Sequence, residues 1–136
     1  IQEETMSRRE LREHIFRLLF RTEFHSEAEM TEQEDFYLED LGEMSDDDRI
    51  YIQGKVDAIR EKKSDLDGQI DCVADKWKTG RMTKVDLTVI RLAAYEIMYD
   101  EEIPTGVAIN EAVELAKRYG TDQSPAFVNA ILAKLA

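Results

Sequence analysis

The stretch that decides the fold runs from residue 84 to residue 99 and reads KVDLTVIRLAAYEIMY. Its apolar residues are spread over most of the circumference of a helix and are not confined to one stripe. A helix with that pattern is a buried helix, so we expect this segment to be the hub of the fold. Thr83, followed three residues later by Asp86, predicts where the helix begins.

Segments on both sides of this hub carry helical periodicity, and strand patterns are nearly absent. Helices are predicted from residue 8 to about 24, after Thr31, from Ser45 to about 63, and along Leu66, Ile70, Val73 and Trp77. After the hub, the sequence predicts a helix over residues 107–119 closed by Gly120, and a last one capped by Ser124 with Pro125 in its first turn. The expected fold class is all-α, with about seven helices in a compact bundle of two three-helix subdomains around the central helix.

Composition sets further limits. The chain has 136 residues, with 18 Lys and Arg against 30 Asp and Glu, a net charge of −12. Residues 6–136 are expected to form a single domain, and residues 1–5, which precede Met6, to be a tag remnant or an upstream extension. No apolar run is long enough to span a membrane, and no secretory signal is visible. A single cysteine, Cys72, excludes an intramolecular disulfide and favours a reducing compartment, so we expect a cytoplasmic protein.

The charge is unevenly distributed along the chain. Between residues 22 and 48 there are twelve acidic residues and no Lys or Arg. The predicted first helix, in contrast, carries five arginines: Arg8, Arg9, Arg12, Arg17 and Arg21. A helix N-terminus prefers anions, so arginines in the first turn gain nothing from the helix itself. A polyanionic partner such as RNA would explain them.

A helical wheel separates these arginines into two groups. Arg8, Arg9 and Arg12 share the azimuth of the predicted buried stripe, and we expect the first turn to project past the core and expose their guanidinium groups. Surface salt bridges are the alternative interpretation of the three. The other two, Arg17 and Arg21, are expected to pair with the acidic segment.

Few other residues suggest chemistry. Phe20 lies near the arginine face and is either a stacking surface for an RNA base or a core aromatic. His14 and His25 lack a second His or Cys at metal-ligand spacing, and Cys72 has no obvious base beside it. No phosphate-binding glycine loop and no nucleophile–base arrangement is present. We therefore expect no catalytic residue, no metal and no cofactor.

Several motifs carry a family resemblance. They are IRLAAYEI at 90–97, IP at 103–104, VAINEAVELAK at 107–117, FVN at 127–129 and SRRELRE at 7–13, with Trp77, Arg81 and Asp86 between them. Together they closely resemble the NusB family of bacterial transcription antitermination factors. The resemblance covers nearly everything from Met6 to Ala136, although residues 27–63 match only in helical pattern.

The resemblance implies an all-α fold and a non-catalytic role. Proteins of this family bind the boxA element of ribosomal RNA leader transcripts together with the ribosomal protein NusE, and the complex joins RNA polymerase. The family's RNA contacts map onto Arg8, Arg9 and Arg12, onto the aromatic at Phe20, and onto Gln123 and Phe127. Asp86 matches a position implicated in partner contact.

Two departures from the family pattern suggest weak RNA binding without the partner. Glu10 interrupts the arginine run, and the basic tail of some relatives is missing after Ala136.

Two other functions stay open: the RNA-binding domain of an rRNA methyltransferase, or a helical scaffold that binds proteins. A homodimer also stays open.

The Arg91 side chain, on the buried hub helix, is expected to pair with a carboxylate such as Glu96 or Glu111.

Overall fold

The structure is a computed structural model, and it describes residues 6–136. The predicted tag remnant or extension at residues 1–5 lies outside the described residues. Within residues 6–136 there are seven α-helices and no strand, so the predicted all-α class is confirmed. The helices are α1 (Arg8–Arg21), α2 (Glu27–Asp40), α3 (Asp46–Glu61), α4 (Lys63–Val73), α5 (Lys84–Tyr99), α6 (Thr105–Tyr119) and α7 (Ser124–Leu135), with a short 3-10 turn at Thr79–Arg81.

The chain divides into two compact units after Arg60. The first unit contains α1, α2 and nearly all of α3, and the second contains α4 to α7. Each unit has its own set of fully buried apolar side chains. In the first they include Leu18, Met30, Leu38, Ile52 and Val56, and in the second Leu66, Ile70, Ile90 and Leu132.

Helix starts in the first unit follow from hydroxyl and carboxylate caps. Ser7 Oγ accepts from the Glu10 N–H at 3.1 Å, and the Glu10 carboxylate accepts in return from the Ser7 N–H at 3.4 Å. This is the predicted capping box of α1. Ser45 Oγ accepts from the Asp48 N–H at 3.1 Å, as predicted for α3. The prediction for α2 is wrong, because the helix begins at Glu27 and is capped by Ser26, five residues before Thr31.

The second unit is organised around α5. This helix packs against α4, α6 and α7, and its residues from Asp86 to Ala94 are all buried. The Thr83 side chain accepts from the Asp86 N–H at 3.2 Å and caps the helix at the predicted position. The sequence-based interpretation of this segment as a hub is confirmed for the second unit.

The fourth helix is shorter than its periodicity indicates. It ends at Val73, and Asp75 then adopts a left-handed conformation with φ of 51°, which no α-helix continues through. Trp77 therefore leaves the helical stripe and is 51% exposed, where the sequence pattern had placed it inward. Local backbone geometry outweighs the apolar spacing at this point.

Gly120 closes α6 for a reason other than the expected one. Its backbone is extended, with φ of −97°, so left-handed geometry is not what requires glycine. A Cβ at this position would lie 2.6 Å from Ser124 Cβ and 2.8 Å from the Ala116 carbonyl oxygen. Glycine is needed because α7 begins so close to the end of α6. Ser124, predicted as the cap of α7, is its first residue and accepts from the Thr121 N–H at 3.0 Å.

Candidate nucleic-acid interface

The predicted arginine cluster is only partly exposed. Arg8 and Arg9, in the first turn of α1, are exposed, whereas Arg12 keeps only 7% of its surface. The expectation that all three guanidinium groups reach solvent is therefore wrong for Arg12. It lies one turn further along, in line with the buried Ile15 and Leu19, and the helix carries it into the unit with that stripe.

Arg8 is positioned by a tyrosine on α3. Its Nη1 donates to the Tyr51 hydroxyl at 3.3 Å, and its Cζ lies 5.6 Å from the centre of the Tyr51 ring. Lys55 Nζ lies 5.3 Å from the same ring. Two cations thus share one half-buried aromatic ring, with Arg9 next in sequence. We call Arg8, Arg9, Tyr51 and Lys55 the α1 cationic site. Sequence reasoning missed Tyr51 and Lys55, because nothing in their spacing connects them to α1.

The start of α1 is fixed to the start of α3. The Met6 N–H donates to Asp48 Oδ2 at 2.8 Å, and Asp48 is 6% exposed. Together with the Arg8–Tyr51 contact, this bond holds the first turn of α1 beside α3. One of the three consecutive aspartates at 46–48 thus serves a structural contact, in addition to its favourable place at a helix N-terminus.

The other two arginines of α1 turn away from this site. Arg17 pairs with Glu13 one turn earlier on the same helix, with Nη2 at 3.1 Å from Oε1. This partner lies outside the acidic segment in which a partner had been predicted. Arg21 does reach that segment, but it donates to Gln33 at 3.4 Å and lies over the Tyr37 ring at 4.9 Å.

Phe20 is half-buried within a line of three phenylalanines on α1. Its ring stacks on Phe16 at 6.1 Å between centroids and meets Phe24 edge-on at 5.2 Å. Along this line Phe16 is 2% exposed and Phe24 is 63% exposed, so the rings pass from the core out to solvent. Phe20 is thus partly buried and partly open to solvent, and its role as a stacking surface stays a prediction. Phe24 is an exposed ring that the sequence reasoning did not select.

Gln123 and Phe127 lie together in the second unit. Gln123 precedes α7 and is exposed, and Phe127 is half-buried in the first turn of that helix. The Phe127 N–H donates to the Gln123 carbonyl oxygen at 3.2 Å. An exposed amide and a partly exposed ring at one helix start can offer a hydrogen bond and a stacking surface to the same ligand.

Asp86, the predicted partner contact, is 8% exposed in the first turn of α5. Its carboxylate oxygen Oδ1 is buried and has no hydrogen-bond partner among residues 6–136. The N-terminal turn of a helix favours a carboxylate, which offsets part of the cost of burying it. A buried acceptor without a donor is uncommon in proteins. The Asp86 carboxylate therefore has acceptor capacity that the described residues do not use.

Arg91 is held by a carboxylate that the sequence did not single out. Its Nε and Nη2 donate to the two carboxylate oxygens of Asp67 on α4, at 2.7 and 2.8 Å. The Arg91 side chain is 9% exposed and the Asp67 side chain 25%. The bidentate pair ties the hub helix to α4.

Three titratable groups of the first unit have shifted pKa values, and two of them, Glu34 and His14, lie in its interior. Burial, and next the neighbouring Asp57, raise the pKa of Glu34 to about 7 although Arg60 lies 3.3 Å away. Burial, and next the positive charge of Arg17, lower the pKa of His14 below 6.5. The His14 Nδ1 atom lies 2.7 Å from the Tyr37 hydroxyl, and both groups belong to the interior of the unit.

Two other kinds of feature are absent from the described residues. Between residues 6 and 136, no group of three or more His, Cys, Asp and Glu side chains is placed to hold a metal ion. In the same part of the chain, no helix has the length and apolar character to cross a membrane.

Comparisons with known proteins agree with each other. A family model described as the NusB family matches residues 9–136. The transcription antitermination protein NusB of Agathobacter rectalis is 52% identical over 131 residues, which cover 96% of this chain and 100% of the relative. NusB of Lachnoclostridium phytofermentans is 49% identical over 130 residues, covering 96% of this chain and 98% of the relative.

Solved structures extend the likeness to three dimensions. NusB from T. maritima matches with a TM-score of 0.86 and 35% identity, over 98% of this chain and 92% of that one. A structure of the antitermination factors NusB and NusE in complex with dsRNA matches with a TM-score of 0.78. Its identity is 22%, over 94% of each chain, so this match shows the fold alone.

Proposed function

Because the chain belongs to the NusB family of transcription antitermination proteins, which are non-enzymatic factors, we propose that it binds boxA-type RNA of ribosomal RNA leader transcripts. It acts there with the ribosomal protein NusE and joins the antitermination complex on RNA polymerase. The cytoplasm is where these partners meet.

The α1 cationic site is the observation that carries this proposal. In a chain with a net charge of −12, Arg8 and Arg9 stand exposed at a helix start, where the helix itself disfavours cations. The Tyr51 ring orients the Arg8 guanidinium group before any ligand arrives. Phosphates of single-stranded RNA bind to exposed arginines of this kind.

Aromatic and amide groups supply the base contacts in this proposal. Phe20 and the more exposed Phe24 offer ring faces on α1, and Phe127 offers another beside the Gln123 amide at the start of α7. Unstacked RNA bases bind to such rings and hydrogen-bond to such amides. Because Phe20 has no hydroxyl group, its part is stacking.

NusE is the proposed protein partner. A neighbour in fold is a complex of NusB and NusE with dsRNA, which supports the same pair of ligands for this chain. The Asp86 carboxylate, which is 8% exposed at the start of α5, contacts NusE in this proposal. Glu10, which sits between the α1 arginines, weakens RNA binding by the isolated protein and increases its dependence on NusE.

The test is RNA binding with and without NusE. Fluorescence anisotropy compares a labelled boxA-type RNA with a scrambled sequence of the same length, on the protein alone and on the protein with NusE. We expect weak binding alone, tighter binding with NusE, and a preference for the boxA sequence. Equal affinity for both RNAs in the presence of NusE contradicts the proposal and favours a scaffold that binds proteins.

The same assay tests the partner contact. Asp86→Ala is expected to weaken NusE binding by about tenfold, the effect of one charge-assisted hydrogen bond. Asp65→Ala, an exposed carboxylate in the first turn of α4, serves as the matched control. Unchanged NusE affinity of a folded Asp86→Ala protein assigns the partner contact elsewhere.

A further inference from the structure

A second cluster of cations lies between α4 and α5, outside the α1 cationic site. Residues 76–84 read KWKTGRMTK and contain four basic residues and no acidic one. Lys76, Trp77, Lys78 and Arg81 are all exposed. We call these four residues the Trp77 platform. They lie on a loop and a 3-10 turn, so they are not the solvated face of a helix.

An aromatic ring lies within this cluster. Trp77 is 51% exposed, and Arg81 Cζ lies 5.4 Å from the centre of its ring. Arg81 Nη1 also donates to the Lys76 carbonyl oxygen at 3.4 Å, which holds the guanidinium group near the indole. A half-exposed indole with a cation beside it can accept a second planar group by stacking.

The loop that carries the platform is fixed before any ligand binds. Asp71, near the end of α4, accepts from the Thr79 N–H at 2.7 Å and from the Thr79 hydroxyl at 3.2 Å. Lys78 Nζ donates to the Asp71 carbonyl oxygen at 3.0 Å. A site ordered in advance loses little conformational entropy on binding.

Nearby carboxylates are engaged in other contacts. The Asp71 carboxylate holds Thr79, and Asp75 pairs with Lys134 of α7 at 3.2 Å. Lys78 donates to a backbone carbonyl oxygen, and the cations of the platform, Lys76, Lys78 and Arg81, outnumber the Asp71 carboxylate beside them. The platform is thus a local positive surface on an acidic protein.

We propose that the Trp77 platform is a second contact for single-stranded RNA, in which the indole stacks on an unpaired base while Lys76 and Arg81 bind the adjacent phosphates. RNA presents both a negative backbone and planar bases, and the platform offers a partner for each. An acidic protein would use the cations but has no equivalent use for an exposed indole. The inference rests on the proposed function for the identity of its ligand.

Trp77 is the single tryptophan of the chain, so its fluorescence reports on this platform alone. The probe is a boxA-type RNA lengthened by unpaired nucleotides at both ends. We expect saturable quenching of Trp77 fluorescence, because a base stacks on the indole. Poly-glutamate, a polyanion without bases, is expected to leave the fluorescence nearly unchanged.

Variants separate charge from stacking. Trp77→Ala should weaken binding of the lengthened RNA by about fivefold to a hundredfold, and Trp77→Phe should restore most of that loss. Lys76→Ala with Arg81→Ala should reduce the slope of log Kobs against log salt by about 1.4, or about 0.7 per phosphate contact. Lys62→Ala with Lys63→Ala removes the same charge elsewhere on the unit. This control should change neither the affinity for the lengthened RNA nor the salt slope.

The outcomes distinguish this inference from the proposed function. If labelled RNA binds but Trp77 fluorescence does not change, the platform is not an RNA contact and the α1 cationic site stands alone. If Trp77 is quenched while Arg8→Ala with Arg9→Ala leaves the affinity unchanged, the α1 site fails and the platform stands. Tight binding of poly-glutamate that the Lys76 and Arg81 changes abolish, without RNA quenching, assigns the surface to an acidic protein and overturns the inference.

Discussion

The pair between Arg91 and Asp67 gives the sharpest stability prediction. Asp67→Asn replaces one acceptor oxygen by an amide N–H₂ group that faces a guanidinium donor, at sites now bonded at 2.7 and 2.8 Å. Arg91 is 9% exposed, so water cannot fully replace the lost carboxylate. Breaking a buried ion pair costs about 3–5 kcal/mol, and the 25% exposure of Asp67 reduces this to about 2–3 kcal/mol.

That loss is large enough to measure in two ways. At about 3 °C per kcal/mol for a chain of this size, Tm should fall by about 6–9 °C. Urea unfolding followed by far-UV circular dichroism should show the same loss of unfolding free energy. Asp65→Asn, on the same helix and exposed, is the control and should change stability by about 0.5 kcal/mol or less.

A second variant tests the physical reason. Replacing both partners, with Arg91→Met and Asp67→Leu, should recover part of the stability, because neither member of the pair is then left buried without the other. A loss below about 1 kcal/mol for Asp67→Asn would show that the pair is a solvated surface contact and would refute the reasoning.

Two further predictions concern the fold. Gly120→Ala should lower the free energy of unfolding by about 1–3 kcal/mol, because its Cβ would lie 2.6 Å from Ser124 Cβ. Gly54→Ala in α3, where a Cβ would meet nothing within 4 Å, should instead raise it by up to about 1 kcal/mol. Urea unfolding midpoints of the two variants test both expectations. The pKa of Glu34 is raised from 4.5 to about 7, so its contribution to stability is full below pH 4.5 and is lost as pH rises through 7. The Glu34→Gln variant lacks this pH dependence, so its free energy of unfolding relative to that of the parent should rise between pH 5 and pH 8. A difference between the two proteins that stays constant with pH would contradict the assignment.

The sequence predicted elements where local and global signals agree. The apolar circumference of α5, with Thr83 before it, predicted both its boundaries and its burial. The capping box at Ser7 and the cap at Ser45 located α1 and α3 for the same reason. For α2, the sequence analysis selected Thr31, which has Glu34 three residues later, and missed Ser26, which has Glu29 at the same spacing.

Other features depended on contacts between distant residues. Tyr51 and Lys55 approach the start of α1 only because α3 packs there, and no spacing in the sequence connects them. Asp67 of α4, which pairs with Arg91, was not among the carboxylates named from the sequence, for the same reason. The exposure of Trp77 follows from the left-handed backbone at Asp75, which a helical periodicity does not contain.

Arg12 shows how a shared azimuth can mislead. The wheel correctly aligned Arg8, Arg9 and Arg12 with the apolar stripe, but it gave no position along the helix at which the core begins. The structure places that boundary between Arg9 and Leu11, so the third arginine is buried and the first two are exposed.

The salt dependence of RNA binding tests the central claim most directly. Affinity for boxA-type RNA is measured by anisotropy between low and physiological salt, for the parent, for Arg8→Ala with Arg9→Ala, and for the Lys62→Ala with Lys63→Ala control. If both arginines contact phosphates, the slope of log Kobs against log salt becomes shallower by about 1.4 in the arginine variant and stays constant in the control. An arginine variant with the parent's affinity and slope would contradict the account.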